Sequence, residues 1–366
     1  MMNWLLLFAG IVTVLYTVLI SLLFVGWRKV YAFVPKGNEK INELISVVVP
    51  CRNEEKHIRN LIGCLAQQSN QNFELILVND HSTDATRNYI KTAQLQFPKI
   101  EIIDAQGYGK KNALKEGILS AKGELIVTTD ADCLPSYHWL ESIACFQQRN
   151  HCDLIICPVK LSGKDSFLSY LQILEFTSLV ASAAGSSGVG MPILCNGSNL
   201  VFRKKIWLRS QKDLHPEEQS GDDIFLLESI KKHKGKIRFL KSESAFVTTR
   251  QAETLGQLIR QRRRWSSKSV MYTDWQMIAV ALIVFGISVM QLLLGVLAVD
   301  SLKFLIAFGV VFVFKYIIDS IFLSSVSKFF QLNNIWLYSF LLSVFYPIYV
   351  VTVATSAFVY RPKHWN

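Results

Sequence analysis

Two common phosphate-binding signatures are missing from this sequence. It contains neither GxGxxG nor GxxxxGK followed by Ser or Thr, so dinucleotide and ATP cradles of those kinds are not supported. It also carries no signature of a nucleic-acid-binding fold. The seven cysteines are odd in number, scattered and without a CxxC pair, which favours small core residues of a reduced, cytosolic domain over a disulfide frame or a zinc site.

Charged residues are scarce for the length of the chain, and apolar residues are abundant. They make up 18% and 51% of the 366 residues, a balance that predicts that part of the chain lies in lipid. The formal net charge is +11, with Lys and Arg clustered at predicted membrane borders and around residues 231–236. We therefore expect anionic lipid headgroups and a diphosphate as partners, and no nucleic acid.

A long uncharged segment near the N-terminus predicts a transmembrane anchor. Residues 5–25 form 21 consecutive uncharged positions, enough to cross the hydrocarbon layer, and Arg28 and Lys29 follow. The apolar core is longer than that of a cleaved signal peptide and no cleavage site is evident, so residues 1–29 are predicted to be retained. The positive-inside rule then places the following domain in the cytoplasm, with the chain in the plasma (inner) membrane.

Residues 277–360 predict two or three further spans. Residues 277–299 and 304–323 are two of them, and 335–360, interrupted by Pro347, is a third. Three spans would leave the basic tail, Arg361, Lys363 and His364, on the outer side, which the positive-inside rule disfavours. Lys315 and Asp319 lie four residues apart within the second span, and mutual pairing is favoured over a polar path or a headgroup contact.

After a polar linker at 30–44, residues 45–250 predict a soluble domain in which strands alternate with helices. That alternation favours an α/β fold with a doubly wound, mostly parallel sheet. Residues 165–184 have a helical pattern too interrupted for a clear span, so they are predicted at the membrane interface, followed by a flexible loop at 185–190. The predicted strands are 45–49, stopped by Pro50, then 73–78, 100–103, 124–129, 153–161 and 237–240, with extended chain at 195–204. The predicted helices of the domain are 54–68, a stretch ending near 97, 109–120, 137–148 and one starting at 222.

Polar turns follow the strands on the edge of such a sheet where ligands bind. The turns CRNEE, NDHSTD, GKKNAL and DAD are predicted along one crevice there. Asp130 and Asp132 leave the same face of an extended chain, and two carboxylates so placed repel unless a cation or a proton separates them. Because oxygen ligands of this kind suit Mg²⁺ or Mn²⁺, the pattern predicts a divalent metal that holds a nucleotide diphosphate.

Other interpretations of these turns stay open. DAD also fits a simple polar turn, and a haloacid-dehalogenase-like phosphatase would carry DxD with a Thr two residues beyond the second Asp, where Leu134 stands here. His81 fits a metal ligand or a base, although a turn-capping or solvated histidine is favoured.

Two more polar clusters follow in the chain. Asp222 and Asp223 begin a predicted helix, where capping and the helix dipole alone would also select acidic residues. Residues 254–265, TLGQLIRQRRRW, predict an amphipathic basic helix at the membrane interface, within a segment at 251–270. Gln261, Arg264 and Trp265 share one face of it, which could present a guanidinium to a diphosphate beside an aromatic sugar platform. Arg260, Arg262 and Arg263 are interpreted as contacts to lipid phosphates.

Four motifs in this order resemble the membrane-integrated family-two glycosyltransferases, the group containing cellulose, hyaluronan and poly-N-acetylglucosamine synthases and ceramide glucosyltransferase. The motifs are PCRNEE with LVNDHSTD, then TTDADC, GDDIFLL and QRRRW, and the similarity covers about residues 45–265 with the flanking spans. The resemblance implies a nucleotide-diphospho-sugar donor, most often a uridine one. Asp222 stands where a Glu is more usual in the family, and CNGSN matches an acceptor-lining segment less sharply.

The resemblance also implies roles for single residues. The implied metal ligands are Asp132, principally, and Asp130. The implied catalytic residues are Asp223 as the general base, its neighbour Asp222, and Arg264 on the leaving diphosphate. The implied donor-binding residues are Pro50, Arg52, Asn53, Glu54, Asn79, Asp80, Lys110, Asp130, Gln261 and Arg264. The implied acceptor-binding residues are Trp265, which floors the acceptor site, with Cys195, Asn196 and Gly197.

The expected function is that of an inverting glycosyltransferase in the synthesis of a cell-envelope glycan or glycolipid. A sugar would pass from the nucleotide donor to a hydroxyl of a membrane lipid or short glycan in one metal-assisted displacement. A processive synthase of a β-linked polymer is one alternative, and a non-catalytic membrane scaffold that binds nucleotide sugar is another. The sugar, the acceptor and association with itself or with other subunits are left open.

Overall fold

A computed structural model describes residues 2–37, 39, 41–163, 166–215 and 221–359. The chain divides into two compact units. The helical unit is formed by the described parts of Met1–Lys29, Gly163–Ile193 and Gln251–Pro362, and the sheet unit by those of Val30–Ser162 and Leu194–Arg250. Asp165, in the predicted interfacial helix, and the basic tail residues Arg361, Lys363 and His364 lie outside the described residues.

Two β-sheets form the sheet unit. The seven-stranded sheet has the order β3-β2-β1-β4-β8-β6-β9, and the three-stranded sheet has the order β5-β10-β7. In the larger sheet β8 is antiparallel to β4 and β6, and the other neighbouring pairs are parallel. The strands are β1 (Ile45–Cys51), β2 (Phe73–Asn79), β3 (Ile100–Asp104), β4 (Leu125–Thr128), β5 (Leu134–Pro135), β6 (Leu154–Ile156), β7 (Val159–Ser162), β8 (Leu200–Arg203), β9 (Ile237–Phe239) and β10 (Val247–Arg250).

Helices connect these strands and cover the larger sheet. All seven residues of β1 are buried, as expected for a central strand with helices on both faces. The predicted α/β class with a largely parallel sheet is confirmed. The helices of this unit are α2 (Ile58–Ala66), α3 (Thr86–Gln96), α4 (Lys110–Ser120), α5 (Trp139–Asn150), α7 (Lys204–Ser210) and α8 (Asp222–Lys232).

Two of the strand predictions were wrong, and both errors involve a proline. Pro50 does not stop β1, which continues to Cys51 in register with β2. Odd-numbered residues of β1 form backbone hydrogen bonds with β2, and even-numbered ones, including Pro50, face β4. Because β4 ends at Thr128, the missing N–H of Pro50 removes no hydrogen bond between the two strands. The single strand predicted at 153–161 is instead β6 and β7, which lie in different sheets on either side of Pro158.

The helical unit contains helices long and apolar enough to cross a membrane. By length and composition there are five candidates among the described residues, within the helices other than α9. The predicted spans at both ends of the chain are among them, and the third C-terminal one is a helix despite Pro347. The helices are α1 (Met2–Lys29), α6 (Phe167–Gly188), α9 (Leu255–Ser266), α10 (Trp275–Leu297), α11 (Leu302–Phe330) and α12 (Ile335–Val359).

Helix α6 differs from its prediction at its C-terminal end. The predicted flexible loop at 185–190 is largely helical, because α6 continues to Gly188. Gly185 lies against the backbone of Leu23, and a Cβ on Gly26 of α1 would overlap the Gly185 carbonyl. The two glycines therefore serve close helix packing rather than flexibility.

Chain connectivity limits what α6 does in a membrane. The chain enters α6 from β7 and leaves it toward β8, and both strands belong to the sheet unit. A complete helical crossing would put two parts of one folded unit on opposite sides of the bilayer. Its length alone therefore does not make α6 a full span.

The two charged residues in α11 bond to each other and to α1, within the helical unit. Lys315 Nζ lies 2.5 Å from Asp319 Oδ2, and the Tyr16 hydroxyl donates to Asp319 Oδ1 at 2.7 Å. The predicted mutual pairing of Lys315 and Asp319 is confirmed. It joins α1 to α11 in a region where an unpaired charge would be costly.

We predict that Gly26→Ala lowers the thermal stability of the detergent-solubilised protein. The added methyl would overlap the Gly185 carbonyl and push α1 from α6, and overpacking of this kind costs about 1–3 kcal/mol. Gly10→Ala is the matched control, since it lies in the same helix and no described atom comes within 4 Å of its added Cβ. Differential scanning fluorimetry should show a lower melting temperature for Gly26→Ala only; equal values would contradict the close-packing interpretation.

Candidate active site

Three polar turns meet at one edge of the larger sheet. β1 pairs in parallel with β2 on one side and with β4 on the other, so the carboxyl ends of the three strands are adjacent. The turns that follow them begin at residues 52, 80 and 129. The structure thus brings together the CRNEE, NDHSTD and DAD turns, as predicted for the ligand-binding edge of an α/β sheet.

Asp80 is the buried anchor of this edge. Its side chain is fully buried, and both carboxylate oxygens accept from the backbone N–H of Gly109 at 3.1 Å. Gly109 has φ +95°, a conformation that favours glycine. Arg52 Nη1 lies 3.8 Å from Asp80 Oδ2. Asp80 therefore ties the turn after β1 to the turn that opens α4.

The turns after β1 and β2 are joined by a set of short hydrogen bonds. The Asn53 N–H donates to Ser82 Oγ at 3.1 Å, and Asn53 Oδ1 accepts from the Thr83 N–H at 2.9 Å. The Glu54 N–H donates to Thr86 Oγ1 at 2.7 Å. Because the side chain of Asn53 holds the neighbouring turn, it helps to define the shape of the edge.

Three other residues of these turns have structural partners. Asn79 is buried, accepts from the Ser82 N–H and donates to Asp104. Pro50 lies inside β1. His81 stacks on Tyr108 with ring centroids 4.0 Å apart. Donor contacts for Asn79 and Pro50 stay predictions, and so do the turn-capping and solvated interpretations of His81.

An acidic cluster follows β4. The ligand atoms of Asp130, Asp132 and Cys133 all lie within 4.8 Å of one another. Burial raises the pKa of Asp132, and the negative charge of Asp130 raises it further. Lys110 pairs with Asp130 and offsets part of this repulsion. Burial also raises the pKa of the Cys133 thiol, which keeps it neutral, so the donors suited to a hard divalent cation here are the two carboxylates.

Glu54 faces the same cluster. Its Oε2 lies 2.8 Å from His57 Nδ1. Burial raises the pKa of Glu54, the hydrogen bond from His57 opposes that rise, and the charges of Asp132 and Asp130 add to it. Three carboxylates therefore share one electrostatic environment, an arrangement typical of functional sites.

Asp223 is held at the start of α8. Its Oδ2 accepts from the Gly197 N–H at 3.0 Å, and the Gly197 carbonyl accepts from Thr128 Oγ1 at 2.8 Å. Asn196 shapes this segment, since its Oδ1 accepts from both the N–H and the hydroxyl of Ser198. Thr128 ends β4 two residues before Asp130, so Asp223 is connected to the strand that carries the acidic cluster. Cys195, just before this segment, is partly buried.

Asp222 is tied to the same region by lysines. Lys111 Nζ lies 3.4 Å from Asp222 Oδ1. Burial raises the pKa of Asp222, Lys111 and Lys110 lower it, and Asp223 raises it. Lys110 thus pairs with Asp130 and lowers the pKa of both Asp132 and Asp222. The acidic pair at α8 and the DAD cluster belong to one charge network.

Helix α9 of the helical unit carries the remaining predicted residues. It begins at a capping box made by Thr254 and Gln257, close to the predicted start. Arg262 is buried and bonds Glu175 of α6, so its interpretation as a contact to lipid phosphates was wrong. The physical reason is that Glu175, buried in an apolar helix, requires a cationic partner. Gln261, Arg264 and Trp265 lie within this helix, and Gln261 Oε1 accepts from Arg262 Nη1 at 2.7 Å.

Part of the sequence matches a known family. Residues 46–207 match the family model described as Glycosyl transferase family 2. The chain carries a family 2 glycosyltransferase domain. The predicted resemblance is confirmed for this domain, which contains the turns after β1, β2 and β4 and residues Asn196 and Gly197. The match ends before α8 and α9.

Two named proteins are similar in sequence to parts of this chain. The "Glycosyltransferase GlyG" of Streptococcus pneumoniae is 32% identical over 117 residues, 32% of this chain and 39% of that protein. A "Poly-beta-1,6-N-acetyl-D-glucosamine synthase" of Staphylococcus aureus is 25% identical over 269 residues, 71% of this chain and 64% of that protein. This chain therefore spans less than two thirds of the length of these relatives.

One solved structure shares the fold over most of the chain. It is titled "Mannosyltransferase PcManGT from Pyrobaculum calidifontis in complex with GDP-Man and Mn2+". The two are 15% identical, with a TM-score of 0.60 over 95% of this chain and 99% of that one. The two chains therefore share a fold over almost their whole lengths, including the segments on either side of the family 2 domain.

Sequence reasoning missed several residues that support the site. His57 bonds Glu54, Lys111 pairs with Asp222, and the Thr249 hydroxyl donates to Asp132 Oδ2 at 3.4 Å. None of these stands in a motif that specifies its partner. Glu175 did carry a signal, because it is the one acidic residue in the apolar stretch 167–188.

We predict that Asp132→Asn stabilises the protein in the presence of a chelator. Above its raised pKa and without a cation, Asp132 is an ionised, partly buried group close to Asp130, and the amide removes that repulsion. The melting temperature should rise by about 2–4 °C, the shift that corresponds to roughly 1 kcal/mol in a domain of this size. Because the folded-state pKa is raised, the gain should grow as pH rises through it and vanish in acid.

Asp104→Asn is the matched control for this change. Asp104 also ends a strand of the larger sheet, but Arg87 lowers its pKa to about 2. Its ion pair with Arg87 is half-exposed and therefore weak, so the amide should slightly lower the melting temperature above the unfolded-state pKa. A fall for both variants in chelator would contradict the repulsion attributed to Asp132.

Proposed function

We propose that this protein is an inverting glycosyltransferase. It moves a sugar from a nucleotide-diphospho-sugar, a UDP-linked one in the first instance, to a hydroxyl of a membrane lipid or short glycan. The observation that carries the proposal is the single charge network that contains Glu54, Asp130, Asp132 and Asp222 with Lys110 and Lys111. Four acids, only partly offset by two lysines, suit a metal ion that bridges the protein to a diphosphate.

The nucleoside end of the donor binds at the turns after β1 and β2. Asp80, held by Gly109, and Arg52 beside it present polar groups on a fixed backbone, and Asn53 and Glu54 complete the turn. Pro50 and Asn79 act at the base of the same turns. Lys110 lies between the acidic clusters and is suited to contact the diphosphate.

Asp132 and Asp130 hold the divalent cation, Mg²⁺ or Mn²⁺. The donor set fits, because two carboxylates face each other and the only sulfur in the cluster of described residues is a neutral thiol. When bound, such an ion neutralises charge on the leaving diphosphate. The mannosyltransferase of the same fold is described in complex with Mn²⁺, which is consistent with this class of ion.

Asp223 accepts the proton of the acceptor hydroxyl. The Gly197 N–H holds one of its oxygens, and this fixes the side chain at the start of α8. As the acceptor oxygen bonds to the anomeric carbon, the bond from that carbon to the diphosphate breaks, and the proton passes to Asp223. One such displacement inverts the anomeric centre, so an α-linked donor yields a β-linked product.

The α9 residues complete the proposed machinery. Arg264 and Gln261 contact the leaving diphosphate, and Trp265 floors the acceptor site together with Cys195, Asn196 and Gly197. The protein is proposed to lie in the plasma (inner) membrane with this domain in the cytoplasm, an orientation supported by Arg28 and Lys29 at the end of α1.

A processive polysaccharide synthase is the second candidate. The observation that favours it is the similarity to a protein named as a poly-β-1,6-N-acetylglucosamine synthase over 71% of this chain. Against it, the described residues offer four candidate spans besides α6, which leaves little material for a polymer channel in one chain. Both candidates use the same donor chemistry and differ in the product.

We predict that Asp223→Asn abolishes transfer and leaves donor binding intact. The amide cannot take a proton, and loss of a general base lowers the rate by about 10²–10⁴-fold. Transfer by purified protein in nanodiscs, with Mn²⁺ or Mg²⁺ and a panel of nucleotide sugars, measures it. Asp213→Asn is the control, since Asp213 bonds Ser229 and Lys232 outside the charge network.

Two results would count against this assignment. Transfer by Asp223→Asn at the wild-type rate would exclude Asp223 as the base. Metal-independent donor binding by the wild type, without transfer or hydrolysis of any donor, would favour the scaffold alternative.

The product of the same reaction distinguishes the two candidate enzymes. We expect a single sugar, or a few, on a lipid or short glycan, with a β linkage from an α-linked donor. Mass spectrometry gives the length and NMR the anomeric configuration. A long polymer formed from donor alone would select the processive synthase, and a retained configuration would exclude the single displacement.

A further inference from the structure

Arg262 is the buried arginine of the basic helix α9. Its side chain is 5% exposed and that of its partner Glu175 is 9% exposed. A guanidinium buried to this extent is costly unless each of its faces and edges is satisfied. The contacts of Arg262 show how this is achieved.

One edge of the guanidinium binds a carboxylate of α6. Arg262 Nη2 donates to Glu175 Oε2 at 2.6 Å, and Nε donates to Glu175 Oε1 at 3.2 Å. The Tyr349 hydroxyl of α12 also donates to Glu175 Oε1, at 3.4 Å. This two-point pairing fixes the plane of the guanidinium as well as its position.

The remaining groups of Arg262 contact two residues of the predicted motif on its own helix. Nη1 donates to Gln261 Oε1 at 2.7 Å, and the guanidinium carbon lies 4.1 Å from the centroid of the Trp265 ring. The Trp265 ring also lies beside Phe176 of α6, with centroids 6.3 Å apart. One side chain thus contacts both the amide and the indole that flank Arg264 in the motif.

We propose that Arg262 is a positioning residue, held by Glu175, that sets the side chains of Gln261 and Trp265 and so shapes the face of α9 that carries Arg264. The effect on transfer rests on the proposed function of that face. The effect on Trp265 itself does not depend on it. A planar guanidinium is required, because a lysine could keep the ion pair with Glu175 but could neither cover the indole ring nor bond Gln261 at the same time.

Arg262→Lys therefore separates positioning from stability. We expect a melting temperature close to that of the wild type, because the charge on Glu175 stays paired. Transfer should fall about tenfold to a hundredfold, the range expected when a binding group shifts by about 1 Å, with a raised KM for the acceptor. Arg260→Lys is the matched control, since Arg260 is exposed on the same helix.

Fluorescence gives a readout that does not require enzymatic activity. The chain has eight tryptophans, so the Trp265 contribution is taken as the difference between a protein and its Trp265→Phe counterpart. Acrylamide should quench this contribution more strongly in the Arg262→Lys background than in the wild type, because the ring face is no longer covered. In the Arg260→Lys background, quenching should match the wild type.

Each outcome decides the proposal. Unchanged quenching and unchanged transfer in Arg262→Lys would overturn it. If Arg262→Lys does not fold, Glu175→Gln combined with Arg262→Gln removes both charges together, and the same quenching comparison applies. A wild-type protein that transfers no sugar would refute the proposed function, and the quenching result would still decide whether Arg262 positions Trp265.

Discussion

Parallel pairing of β1 with both β2 and β4 is the constraint on which the candidate site depends. In a parallel sheet the carboxyl ends of all strands lie at the same edge, so the three turns that follow these strands are adjacent. The residues of the turns need not be close in sequence: Asn53 bonds Thr83, and Asp80 bonds Gly109. In these bonds backbone N–H groups donate to the side-chain oxygens of Asn53 and Asp80, so the two side chains fix the shape of the edge.

The same convergence brings like charges together. Glu54, Asp130 and Asp132 are partly buried and close enough for their charges to act on one another, and burial raises the pKa of Glu54 and of Asp132. Like charges held close together cost stability, and three acids gathered in one place are typical of functional sites. Lys110 lowers the pKa of Asp132 and so offsets part of the repulsion, although that pKa stays raised.

Much of this arrangement could be predicted from the sequence, and the part that could not has a physical reason. Alternating apolar runs and helical periodicity predicted the sheet and its ligand edge, because both patterns are local. The prediction that Pro50 stops β1 was wrong. The effect of a missing N–H depends on which neighbouring strand it faces, and the order of the strands in the sheet decides this. Lys111 and Thr249 were missed for a similar reason: their partners are distant in sequence, and neither residue type specifies a partner by itself.

In the helical unit, burial separates arginines that the sequence grouped together: Arg260, Arg262 and Arg263 of α9 were all interpreted as lipid contacts. A basic helix with an aromatic end is typical of an interfacial anchor, and the sequence does not distinguish these three arginines from one another. Glu175 distinguishes Arg262 from the others, since a carboxylate inside an apolar helix must find a cation. An isolated acid in an apolar helix and a basic cluster elsewhere in the chain should therefore be considered together. The acid then identifies which basic residue is structural, and the remaining ones become the candidates for contacts with phosphate.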